Sequence, residues 1–198
     1  RLAVHEAGHT VVAYFTPQAD PLFKVTIIPR GRSLGGTHML PEKERHTMPE
    51  EVLRAQLAVM LAGRAAEKLL LGSVSSGAED DIRRATKLAR AMVASWGMSA
   101  ALGPMDLSTS EEHPFLGQSI AQPRDHADAT AARVDAAVAG LLQDAQARAT
   151  DILTRDRDAL EALIEALEKA ETLDAAQIAA CLEGRALPPP TPRPQVTK

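Results

Sequence analysis

The stretch "VHEAGHTVVAYF", residues 4–15, places two histidines four positions apart in an otherwise apolar run, with a glutamate directly after the first. Val4, Ala7, Gly8, Val11, Val12 and Phe15 repeat at the i, i+3, i+4 spacing of a buried helical face, which predicts a helix over residues 1–15. Pro17 and Pro21 bar its continuation. Whatever fold this chain adopts must therefore seat His5, Glu6 and His9 beside the core and give them partners.

Aromatic residues make up only 3% of the 198 positions, so the core has to be assembled from Ala, Leu, Val, Ile and Met, a set that leans towards helix. "KVTIIP" (24–29) is short and β-branched and reads as a strand. "LGGTHML" (34–40) reads as its partner after a turn around Gly31. Thr47-Met48-Pro49-Glu50 has capping-box spacing and opens a helix that runs to Gly72. A further helix spans about Asp80 to Trp96, with Ile82, Ala85, Leu88, Ala89, Met92, Val93 and Trp96 as one apolar stripe. Trp96, Met92 and Met60 are accordingly expected in the core, and Cys181 as a small, inert apolar residue.

Residues 103–126 hold three prolines and read as a loop. Residues 127–170 read as two antiparallel helices, and a short helix is expected at 174–182. The expected organisation is a domain over 1–185, with a metal-site and strand part at 1–102 and a helical part at 127–185. Residues 186–198 form a Pro-rich disordered tail. The fold class is mainly α, with a small β-hairpin and a C-terminal helical bundle.

The net charge of −4 lacks the basic stripe of a nucleic-acid binder. One cysteine rules out an internal disulfide framework and a Cys-rich zinc module. No run reaches the roughly 18 apolar residues of a membrane span. The chain opens at Arg1 within a helical pattern and without Met, the expectation being a segment of something longer.

On a helix, positions i and i+4 share a face, so His5 and His9 can address one ion. Two neutral imidazoles suit Zn²⁺, and catalytic zinc takes three protein ligands plus a water. Glu6, about 100° round the helix from His5, can serve as general base without being a ligand, the arrangement behind H-E-x-x-H. The motif is short enough to arise by chance, so a third ligand is required. His38, His46, His113 and His126 fall on the strand, beside a cap or around the loop, positions usual for exposed histidines. Among carboxylates the run Glu79-Asp80-Asp81 is attractive at a helix start, though it reads equally well as capping. The residues alone do not choose between them.

"HEAGH", "GGTHMLPEKE", "LAGRAAEKLLLGSVSSGAEDDIRRATKLARAMVASWGMSAALGP" and "FLGQ", in that order, resemble the peptidase domain of the FtsH family of ATP-dependent membrane zinc proteases, over about residues 1–185. The resemblance implies a zincin-type helical peptidase fold binding one Zn²⁺ per chain. It implies His5 and His9 as zinc ligands, Glu6 as the catalytic glutamate, and Asp81 as third ligand through "SGAEDDI". The strand before "LP", with Gly36, Thr37, His38 and Met39, is similar to the edge strand on which extended substrate lies.

Further implications are unfolded or membrane-delivered protein substrates, a homo-hexameric ring, an ATPase module in the parent chain, and a parent on the cytoplasmic face of the bacterial inner membrane. No G-x-x-x-x-G-K-[ST] occurs, so this chain does not bind ATP by that route. It departs from the family pattern at Asp80, which adds a charge and a competing donor beside Asp81, at Val4, and in "LAGRAAE". The same residues are compatible with two other readings. One is a non-catalytic helical assembly module with a closed or absent metal site. The other is a peptidase of another zincin group using Glu67 or Glu79 as ligand.

Overall fold

Alanine and leucine, strong helix formers, fill six helices in the computed structural model, which describes residues 1–29, 35–40, 47–108 and 127–189. These are α1 (Leu2–Tyr14), α2 (Glu50–Leu71), α3 (Glu79–Arg90), α4 (Asp128–Arg155), α5 (Arg157–Ala170) and α6 (Ala175–Leu182). Three strands, β1 (Leu22–Thr26), β2 (Gly36–Met39) and β3 (Thr172–Asp174), form an antiparallel sheet in the order β2-β1-β3. Mainly α with a small sheet, as the sequence implies, is the class observed. Among the described residues no helix is long and apolar enough to cross a membrane.

α1 is the innermost element. Every residue from Ala3 to Ala13 is buried, on all faces rather than on the single stripe expected. The reason is that α2, α4, α5 and the sheet all pack around it. Gly8 makes the closest of these approaches possible, because a Cβ there would lie 2.6 Å from Ala62 O and from Ala66 Cβ of α2. α2 separates two apolar clusters. Ala58, Val59, Ala62, Ala65 and Ala66 join α1, α5 and α6, while Leu53, Leu57 and Leu61 join α3 and α4.

Several details differ from expectation. β1 covers 22–26 rather than 24–29: Leu22 pairs with Met39, and Pro29, lacking an N–H, falls outside the ladder. β3 was not foreseen; it pairs Val25 with Leu173 and so binds the C-terminal part into the same sheet as the N-terminal part. The capping box at residues 47–50 does not form, since Pro49 is the N-cap and makes no side-chain bond. The stop at Gly72 is as expected, with φ +67°.

α3 gives way to a π-helical turn at Ala91–Ser95, where Trp96 N–H donates to Ala91 O at 3.0 Å. This wider winding takes Trp96 off the apolar stripe, and it is half exposed instead of core. Ile82, at the helix start and beyond the core, is 43% exposed as well. Met92 is fully buried and Met60 partly so.

α4 and α5 are joined by Asp156 alone, too short for an antiparallel hairpin. α4 packs along α2 and α5 along α1, rather than along each other. α6 begins with a full capping box between Asp174 and Gln177, and Cys181 is buried, which raises its thiol pKa. Residues 103–108 and 186–189 carry no helix or strand. Gly31, His46, His113, His126, "FLGQ" and residues 190–198 lie outside the described residues.

Candidate metal centre

His5 and His9 leave α1 on the side facing α2, where Val59, Gly63 and Glu67 stand four residues apart in one row. The row has the form needed to receive two imidazoles. His9 Nδ1 bonds Val59 O at 2.6 Å, and His5 Nδ1 bonds Glu67 Oε1 at 3.0 Å. Between them Gly63 has no side chain, and a Cβ there would lie 2.6 Å from Nε2 of each histidine.

These contacts determine where the ring protons sit. A carbonyl oxygen can only accept, so His9 carries its proton on Nδ1. Burial alone would raise the Glu67 pKa, but hydrogen bonds from Arg1 (2.7 Å), His5 and Ser75 (2.9 Å) outweigh it and hold the carboxyl below its usual range. Ionised Glu67 likewise only accepts, so His5 Nδ1 donates. Both Nε2 lone pairs are then turned to the same point.

Asp81 meets them there. Its Oδ2 is 3.2 Å from His5 Nε2 and 3.3 Å from His9 Nε2, and the two Nε2 atoms are 3.1 Å apart. Asp81 comes from the first turn of α3, which the 3₁₀ turn Ser76–Ala78 aims at the end of α1. Its second oxygen accepts from Arg84 Nη2 at 2.7 Å, which leaves Oδ2 as the single oxygen facing the histidines. Burial opposes ionisation of Asp81, yet the two imidazoles beside Oδ2 and the hydrogen bond from Arg84 hold its pKa far below the ordinary carboxylate value. Burial opposes a charge on His5, and the carboxylates of Asp81 and Glu67 overcome that and raise its pKa.

Three lone-pair atoms within 3.3 Å of one another repel unless a cation lies between them. Tetrahedral Zn²⁺ with bonds of about 2.0–2.1 Å requires donors about 3.3 Å apart. The donor set and its spacing therefore fit zinc. Among the described residues no fourth His, Cys, Asp or Glu joins the cluster.

The other candidates lie elsewhere. Asp80 and Glu79 are largely exposed and paired with Arg83, at 2.8 and 2.7 Å, and neither is among the groups gathered at the histidines. Glu67 meets the Nδ1 side of His5, away from both Nε2 atoms. Glu6 is buried beside His5, with its carboxylate against β2, where Thr37 Oγ1 is 3.2 Å from Oε2. Thr37 and Met39 of β2 face inward, to Glu6 and to the core, whereas His38 is exposed. The roles of Val59, Gly63 and Glu67 escaped sequence reasoning. Their i, i+4, i+8 spacing, matching the four-residue spacing of the histidines, was the available signal.

The sequence model described as peptidase family M41 matches residues 1–181. The ATP-dependent zinc metalloprotease FtsH of Hahella chejuensis is 60% identical over 183 residues, which cover 92% of this chain and 30% of that protein. The ATP-dependent zinc metalloprotease FtsH 4 of Sphaerobacter thermophilus is 48% identical over 191 residues, covering 96% and 29%. The ATP-dependent zinc metalloprotease FtsH 3 of Symbiobacterium thermophilum is 42% identical over 196 residues, covering 99% and 31%. This chain thus spans about 30% of the length of these curated relatives.

Proposed function

This chain belongs to peptidase family M41, and on that premise we propose that it is a zinc-dependent endopeptidase domain that hydrolyses peptide bonds of unfolded proteins. The observation that carries the reading is the convergence of His5 Nε2, His9 Nε2 and Asp81 Oδ2 within 3.3 Å, beside the buried carboxylate of Glu6. Those three atoms would hold one Zn²⁺. Bound there, the ion supplies Lewis acidity towards a carbonyl oxygen and lowers the pKa of water towards about 7.

The chain's own residues do the rest. Glu6 takes the proton of the attacking water and passes it to the leaving amine. Glu67 and Val59 O hold the two imidazoles in the tautomer that points Nε2 at the ion, and Arg84 holds Asp81 to one oxygen. β2 is one of the two edge strands of the sheet among the described residues. An extended substrate adding there would gain main-chain hydrogen bonds that tolerate many sequences. Because Thr37 and Met39 face inward, we read substrate contact as made by the strand's backbone and by its outer face at Gly36 and His38.

Residues 1–185 are read as one peptidase domain of a longer protein. The relatives' name describes ATP-dependent enzymes. We propose that an ATPase module in the parent chain delivers unfolded or membrane-derived substrate to this domain, and that the parent assembles as a hexameric ring at the cytoplasmic face of a bacterial inner membrane.

The test is hydrolysis of fluorescein-labelled casein by this chain without ATP, with zinc quantified. One zinc per chain, cleavage lost on chelation and cleavage restored by Zn²⁺ would support the reading. A zinc-loaded chain that leaves casein intact would overturn it.

A further inference from the structure

Thr37 stands on β2 with its hydroxyl turned towards α1, where three hydrogen-bond distances meet. Its Oγ1 is 3.2 Å from Glu6 Oε2, 3.1 Å from Glu6 O and 3.1 Å from Thr10 Oγ1. Thr10, fully buried, has its own Oγ1 at 2.8 Å from Glu6 O. Two hydroxyl protons are available for these acceptors, one from each threonine.

One assignment of the two protons leaves neither Glu6 O nor Glu6 Oε2 without a hydroxyl donor. Thr10 is four residues on from Glu6 in the same helix, and its short bond back to the Glu6 carbonyl is the usual use of a helical threonine hydroxyl. With that carbonyl already served, the Thr37 proton is free for the carboxylate. A bond to an ionised oxygen is roughly twice as strong as a neutral one, and stronger still away from water. Thr37 therefore donates to Glu6 Oε2 and accepts nothing that competes.

We infer that Thr37 is a positioning residue for Glu6, fixing the rotation of the proton-transfer carboxylate and tying it to the seating of strand β2. The inference rests on the zinc-peptidase reading above and deepens it. It also moves Thr37 from the substrate face to the base. A carboxylate on a free χ angle samples orientations in which neither oxygen addresses the water, whereas one held at Oε2 presents Oε1 in a single direction. Gly35 leaves room on that side, since a Cβ there would stand 3.2 Å from Oε1. Any peptide that pairs with β2 and settles the strand settles the base with it.

The test compares Thr37→Val and Thr37→Ser with the parent chain and with Glu6→Gln, using labelled casein, bound zinc and the thermal midpoint of the metal-free protein. Thr37→Val keeps the shape and the β-branch suited to a strand but removes the donor; Thr37→Ser keeps the donor. The expected result is kcat lowered about 10–100-fold in Thr37→Val, a part of what a general base supplies, with KM within about twofold, and kcat within about threefold of the parent in Thr37→Ser. All variants should bind one zinc. In the metal-free chain the shifts caused by Thr37→Val and Glu6→Gln should combine non-additively.

An unchanged kcat in Thr37→Val, an equal loss in both threonine variants, a loss confined to KM, or additive midpoint shifts would overturn the inference. The two levels separate cleanly. If the parent fails to cleave, or Glu6→Gln cleaves as well as the parent, the peptidase reading fails and this inference with it. If both behave as expected and Thr37→Val is as fast as the parent, only the role of Thr37 fails.

Discussion

A Cβ on Gly63 of α2 would lie 2.6 Å from Nε2 of His9 on α1, closer than real Cβ atoms come to any neighbour. The same Cβ would be 2.6 Å from His5 Nε2, so one absent methyl group makes room for the whole donor pair. Gly63→Ala should push both imidazoles aside, cost about 1–3 kcal/mol as an overpacked core substitution, and abolish stoichiometric zinc binding. Chemical denaturation and metal analysis of the purified variant would check both effects.

Asp81 and Asp80 are neighbours in sequence with opposite surroundings, one at the histidines and the other paired with Arg83 at the surface. Asp81→Asn removes the charged donor, and zinc affinity should fall by more than the roughly 10–100-fold that loss of an outer-shell partner costs. Asp80→Asn should leave it unchanged, since an exposed ion pair contributes little. A zinc titration in which Asp80→Asn is the weaker binder would reassign the ligand.

Glu67 touches His5 only at Nδ1. Glu67→Ala should therefore weaken zinc about 10–100-fold without removing a ligand, leaving the metal bound at saturating zinc. Competition against a chelator of known affinity measures the change.

The pH dependence should differ in sign between the metal-free and zinc-loaded chains. In the metal-free state His5 has a raised pKa. Its contribution to stability is full below the unfolded value of about 6.5 and is lost as pH rises through the folded value. Asp81 and Glu67 have lowered pKa values, so their contributions are present above about pH 4 and are lost as pH falls through their folded values. Zinc requires His5 neutral at Nε2, so its stabilisation grows with pH. The gap in thermal midpoint between zinc-loaded and metal-free protein should widen from about pH 6 to pH 8. A gap that narrows over that range would contradict the ligand assignment.

Much of this was legible in the chain because helical periodicity is a local property. The i, i+4 histidines, the stop at Gly72 and the short helix near 174–182 all follow from residues close in sequence. What could not be read depends on residues far apart. Glu79, Asp80 and Asp81 point in directions about 100° apart on a helix, and only the packing of α3 against α2 decides that Asp81 alone faces α1. The resemblance to a known family, rather than the residues, singled it out. Three-residue β3 carries no usable period, and its pairing with β1 spans some 150 positions. The π turn that moves Trp96 outward leaves no mark in the apolar pattern. The resemblance assigns Thr37 to the substrate strand along with its neighbours, and nothing local in "GGTHM" tells that its hydroxyl lies against Glu6 of α1.

The central claim is tested most directly by Glu6→Gln, assayed for bound zinc and for cleavage of labelled casein beside the parent chain. Gln keeps the shape of the side chain and leaves His5, His9 and Asp81 untouched, but it cannot take a proton. The account predicts one zinc per chain in both proteins, with cleavage reduced at least about 100-fold in the variant. Cleavage by Glu6→Gln at the parent rate would contradict it.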